Sequence, residues 1–193
     1  MKRIVSLGVV LTFLPFAAGI NLVNAQTRDA SPTNSAAVSG LSPVDYNFVA
    51  QANLGAPFQV DSGRVAEKKT KSADIRDYAH LMVTSHIPVV DALNAILKRK
   101  GFTAPPNTLL EGAYHAMVAS LKADTRAALD RDYLEGQLEY QKGNSALFQY
   151  ETQYGTDADL KEFARATLPK IEDHLQRVTK LTKDGDAGES ASK

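Results

Sequence analysis

Apolar positions between residues 42 and 182 recur at intervals of three and four, the spacing that gives a helix one hydrophobic face. The first run opens at Ser42-Pro43-Val44-Asp45. Ser42 suits an N-cap, Pro43 the first helical position and Asp45 the far end of a capping box. Its stripe is Phe48, Ala52, Gly55, Gln59, Gly63 and Ala66, and Pro57 is expected to kink the helix near Gly55. The small residues Ala52, Gly55, Ala56 and Gly63 predict close approach of a neighbouring helix. A second run from Ser72 to Lys100 carries Ile75, Ala79, Met82, His86, Val89, Leu93, Ile96 and Leu97. It stops at Gly101, ahead of Ala104-Pro105-Pro106-Asn107.

A shorter third helix is predicted from Thr108 to Lys122, with Leu109, Leu110, Met117, Val118 and Leu121 apolar. The fourth runs from Asp124 to Tyr154, aligns Leu134, Leu138, Gln141, Ser145 and Phe148, and ends at Gly155. The fifth opens at Thr156-Asp157-Ala158-Asp159 with Thr156 as the expected cap. Its stripe is Leu160, Ala164, Leu168, Ile171, His174, Leu175, Val178 and Leu181. No stretch alternates with period two, so no sheet is expected. Four long helices and one short one predict an all-α, antiparallel four-helix bundle with an additional short helix.

The ends of the chain change the picture. Lys2 and Arg3 precede the apolar run Ile4 to Ala18, and Val23-Asn24-Ala25 offers small residues for cleavage before Gln26. Residues 1–25 therefore read as a signal peptide, interrupted by Pro15 and too short for a membrane anchor. Residues 26–41 are polar and small and read as a flexible tether; residues 42–182 form the bundle; residues 183–193 read as a disordered tail. No second hydrophobic run is expected to span a bilayer.

Composition then removes several classes of function. Without cysteine there is no lipid anchor at a Cys, no thiol chemistry and no Cys-type zinc site. Loss of Lys2 and Arg3 with the signal leaves 20 basic against 22 acidic residues, a net charge of −2. That balance gives no electrostatic ground for nucleic acid. An exported, periplasmic location is expected, with the tether able to carry the bundle to the outer membrane or another envelope surface. A nucleophile elbow and a glycine-rich phosphate loop are both absent.

Candidate chemistry lies on the stripes. Gln59, His86, Gln141 and His174 are the polar residues on four apolar faces, and four packed helices could bring them to one depth. Such a cluster is either a hydrogen-bonded network or a ligand set, because an unpaired buried polar group costs about 1–3 kcal/mol. Glu-x-x-His, the usual di-metal signature of bundles, does not occur. Met82 and His86, four residues apart, share a face that suits copper, although a Met on a stripe ordinarily fills core. Pro88 and Pro169 lie near the two stripe histidines and free the carbonyls of Thr84 and Arg165.

Three segments carry a resemblance. Asp45 to Leu93, Asp130 to Phe148 and Leu160 to Val178 resemble the bacterial family called domain of unknown function 4142. The resemblance implies an exported, ferritin-like bundle of the periplasm or outer membrane. It also implies Glu at the place of Gln59, Asp at Ser85 and His at Gln141, whereas His86 and His174 match. This chain thus keeps two imidazoles of the implied set. The expectation is a non-enzymatic binding or envelope-stress protein with no cofactor, its partners unknown, and with a hydrogen-bonded Gln–His–Gln–His core. The alternative is a ferritin-like protein binding iron, manganese or copper at His86 and His174, with redox or peroxide-handling activity.

Overall fold

Helix α1 spans Pro43–Lys69, α2 Ala73–Lys100, α3 Thr108–Ala123, α4 Arg126–Tyr154 and α5 Ala158–Ala191. The computed structural model describes residues 40–191, and no strand occurs among them. The expected signal peptide and all but the end of the tether lie outside the described residues. Leu41, assigned to the tether, is buried in the core and belongs to the bundle.

Local chemistry sets the helix ends. The Ser42 hydroxyl accepts from the Asp45 backbone N–H at 3.2 Å, one half of the expected box, and donates to the Asp45 carboxylate at 2.6 Å. Ser72 caps α2, and Gly101 ends it in the left-handed region at φ 68°, which a glycine adopts without strain. Asn107 caps α3. The cap of α5 is Asp157 rather than Thr156: its carboxylate accepts from the N–H groups of Asp159 (3.0 Å) and Leu160 (3.1 Å). Thr156 instead turns its hydroxyl and N–H to Asp45 on α1. Helix α5 also continues to Ala191, into the stretch expected to be a disordered tail. Once a helix is nucleated each further residue adds a bond, so a polar sequence alone does not stop it.

Two short turns make the hairpins α1–α2 and α4–α5, and these pack as α1 against α4 and α2 against α5. Between them α3 carries the chain from one end of the bundle to the other along α1 and α4. Its C-terminus is held by Lys69, whose ammonium donates to the carbonyls of Leu121, Lys122 and Asp124 at 2.7–3.0 Å. At the opposite end, Lys100 of α2 pairs with Asp157 (2.8 Å) and Asp159 (3.2 Å). Neighbouring long helices are therefore all antiparallel, joined by one long crossover, as in ferritin-like bundles.

The predicted stripes are the buried faces. Phe48, Ala52, Gly55, Gln59, Gly63 and Ala66 are all buried on α1, as are Ile75, Ala79, Met82, His86, Leu93, Ile96 and Leu97 on α2. Close approach occurs where expected: a Cβ on Gly63 would lie 2.9 Å from the Ala79 carbonyl oxygen, and one on Gly55 would meet the Tyr140 hydroxyl. Leu109 departs from the pattern, being 86 % exposed because α3 buries only Val118 and Leu121 fully. Among the described helices α2 is long and apolar enough to cross a membrane by length and composition alone, as the core helix of a bundle also is. Its apolar stripe here packs against α1 and α5.

The core is not continuous. One cluster gathers Phe48, Leu93, Leu97, Phe148, Phe163 and Ile171 near the start of α1. A second gathers Ala66, Tyr78, Met82, Leu129, Tyr133 and Val178 near its end. The stretch between the clusters is polar.

Candidate functional site

That waist is built from one side chain per long helix. Gly63 faces Met82, so one turn further along the antiparallel pair Gln59 of α1 comes level with His86 of α2. Ser62 accepts from the Gln137 amide at 3.2 Å, which sets α4 so that Gln141 lies at the same level. His174 of α5 completes the layer, its ring centre 5.2 Å from that of His86 and tilted by 39°. Gln59 and Gln141 have no solvent exposure, and His86 and His174 retain 3 % and 4 %.

The convergence at one depth that the sequence predicts is therefore present, but the hydrogen-bonded network is not. No hydrogen bond joins the four side chains to one another. Both amide atoms of Gln59, the amide oxygen of Gln141 and Nδ1 of His174 have no hydrogen-bond partner. The Gln141 amide donates to Met82 Sδ, at 3.4 Å. Interhelical spacing explains the difference. Side chains on the inner faces of four helices can share a level while their polar tips fall short of one another.

His86 is oriented. Its Nδ1 lies 3.0 Å from the Met82 carbonyl oxygen, which can only accept, so Nδ1 carries the proton and Nε2 holds the free lone pair. Ser85, standing where the resemblance implies Asp, places its hydroxyl 3.3 Å from the same nitrogen and donates to Leu81 O at 2.6 Å. Burial, followed by the neighbouring His174, lowers the pKa of His86 to about 4, against a small rise from the Met82 carbonyl. His174 is likewise lowered to about 4, by burial first; Asp173 opposes that shift, and Arg177 and Lys170 add to it. Both rings are neutral at pH 7, each with a lone pair to offer.

Sequence reasoning missed several neighbours of this layer. Tyr133, Gln137 and Gln141 follow one another at intervals of four on α4, a spacing that could have flagged Gln137 and Tyr133 as inward-facing. A cavity of about 10 Å³, the size of one water molecule, touches His86 together with Tyr140, Asn144 and Thr167. No group of three His, Asp or Glu side chains with the spacing of a metal site occurs among the described residues. His80 and His115 lie on exposed faces, and His80 meets Glu67 at 3.0 Å.

A second polar group, also missed, lies at the end of the bundle. Asp45 accepts from the Ser42 and Thr156 hydroxyls and from the N–H groups of Thr156 and Asp157. Burial pushes its carboxyl up, but these bonds prevail and hold it at about 2. Glu151 on α4 is fully buried beneath the Gly155 turn. Burial first, then Asp45, then Asp157 raise its pKa to about 8, against Lys161. Glu151 is thus a neutral acid beside an ionised one, a pair that closes the hairpin end of the bundle.

Comparison with known proteins places this architecture. No curated protein matches the chain. Among solved structures, a DUF305 fragment from Deinococcus radiodurans is similar in fold, with a TM-score of 0.66 at 15 % identity. The match covers 75 % of this chain and 98 % of that one. The model of the family described as domain of unknown function DUF4142 matches residues 30–181, and the chain belongs to that family.

Proposed function

We propose that this chain is an exported, non-enzymatic helical bundle that acts by binding in the bacterial envelope. The observation that carries the reading is the sealing of its waist. The four polar side chains are 4 % exposed or less, and the cavity at His86 has room for a single water-sized particle. An organic substrate would need a pocket of roughly 300 Å³ or more. A group that cannot meet a substrate does not act on one. Glu151, a carboxylic acid held neutral in the interior, is equally sealed.

The ferritin-like reading with iron or manganese fits the donors less well. Such centres are built from carboxylates with Glu-x-x-His pairs. Here the two positions beside the imidazoles carry amides, Gln59 and Gln141. Neutral oxygens and nitrogens do not balance the charge of a pair of divalent ions in a buried core.

Two assays on the cleaved, untagged protein test the proposal. Cell fractionation should recover it outside the cytoplasm, and recovery in the cytosol would overturn the export. Incubation with ferrous ion and peroxide should leave both consumed no faster than in buffer. Turnover that disappears in His174→Gln would make the protein an enzyme.

A further inference from the structure

We infer that His86, His174 and Met82 form a site for one soft monovalent cation of the d10 class, Cu(I) or Ag(I), at the centre of the bundle. The inference rests on the binding reading above and supplies its ligand. Three features of the waist carry it.

The first is donor direction. His86 has its Nδ1 proton committed to the Met82 carbonyl, which leaves Nε2 as the ligating atom. His174 Nδ1 is buried without a partner. Met82 is fully buried, one turn before His86 on the same face of α2, and its sulfur receives only the Gln141 amide. Two imidazoles bound to one tetrahedral ion at about 2.1 Å per nitrogen bring their ring centres roughly 5 Å apart. The observed separation is 5.2 Å, with the rings tilted rather than stacked.

The second is charge. The layer itself contributes imidazoles, amides and a thioether, all uncharged. The ionised groups that act on it come from α5: Asp173, the strongest of them, and Arg177 and Lys170 of opposite sign. Desolvation cost grows with the square of an ion's charge, so an interior without an anion accepts a singly charged ion far more readily than a doubly charged one. The third is softness: nitrogen and thioether sulfur match Cu(I) rather than Mg, Mn or Fe.

The test uses the full chain and the metal alone. Protein is mixed with silver nitrate in chloride-free buffer, or with Cu(I) kept reduced, and passed over a desalting column before metal analysis. One equivalent should remain bound. Met82→Leu, which keeps the packing, should weaken competition against a Cu(I) chelator by about tenfold or more. His86→Gln and His174→Gln should release the metal while circular dichroism reports an unchanged helix content. Three results would overturn the inference: no retained metal in the wild type, full retention in both His→Gln variants, or Zn(II) held more tightly than Ag(I). Loss of the inference by any of these leaves the non-enzymatic reading standing, because that reading fails only on turnover.

Discussion

Two neutral imidazoles in a sealed layer tie the stability of the bundle to pH. In the unfolded chain each His titrates near 6.5; in the fold both are lowered to about 4. Between those values the unfolded chain binds the extra protons, so stability is complete above pH 6.5 and declines as pH falls through 4. The loss amounts to at most about 3 kcal/mol per histidine. Denaturant midpoints at pH 7 and 4.5 should show it, with a shallower decline for the double variant His86→Gln/His174→Gln. Glu151 works in the other direction: its carboxyl is raised from 4.5 to about 8, so stability falls as pH rises through that interval. Glu151→Gln should raise the melting temperature at pH 8.5 and leave it unchanged at pH 4, where the wild-type acid is neutral in both states. At this scale the sequence showed which polar residues face inward on His86, His174, Gln59 and Gln141. It did not show Glu151, whose shift depends on Asp45 more than a hundred positions away, nor that the waist side chains fall short of bonding one another.

Helices here are positioned by close approaches and by caps supplied from other helices. Gly63 sits where α1 meets α2, and a methyl group would press on the Ala79 carbonyl oxygen and on Val83. Gly63→Ala should therefore destabilise the bundle by about 1–3 kcal/mol in urea unfolding, despite the higher helix propensity of alanine. Asp45 belongs to the α1 capping box and at the same time accepts two backbone N–H groups at the start of α5. Asp45→Ala should cost about 3 kcal/mol and loosen the α4–α5 turn, which hydrogen exchange at Thr156 and Asp157 would report. Loss confined to the first turn of α1 would contradict this cross-helix role. Helix starts, and the ends of the first four helices, were readable to within a residue or two because caps and glycines are local signals; the end of α5, with no such signal, ran nine residues past the expected 182. The cap of α5 was not, since Thr156 and Asp157 are equivalent candidates until Asp45 claims the threonine.

For the whole molecule, the alternation of an apolar cluster, a polar waist and a second apolar cluster is the feature that separates this bundle from a plain hydrophobic one. Periodicity made the bundle legible, and the missing sheet signal made it all-α. The direction of α3, which decides that neighbouring long helices run antiparallel, depends on contacts such as Lys69 with the α3 C-terminus that no local pattern encodes. Membership of the DUF4142 family and the shared fold with the DUF305 fragment agree with that architecture. His86 and His174 face each other as neutral rings inside the waist, and the site stands or falls with that pair. Nuclear magnetic resonance of imidazole-labelled full-length protein follows both rings directly, with His86→Gln and His174→Gln assigning the signals. Each ring should remain neutral down to about pH 4, with His86 as the Nδ1–H tautomer and cross-relaxation linking the two. Titration of both near 6.5, with no contact between them, would contradict the account.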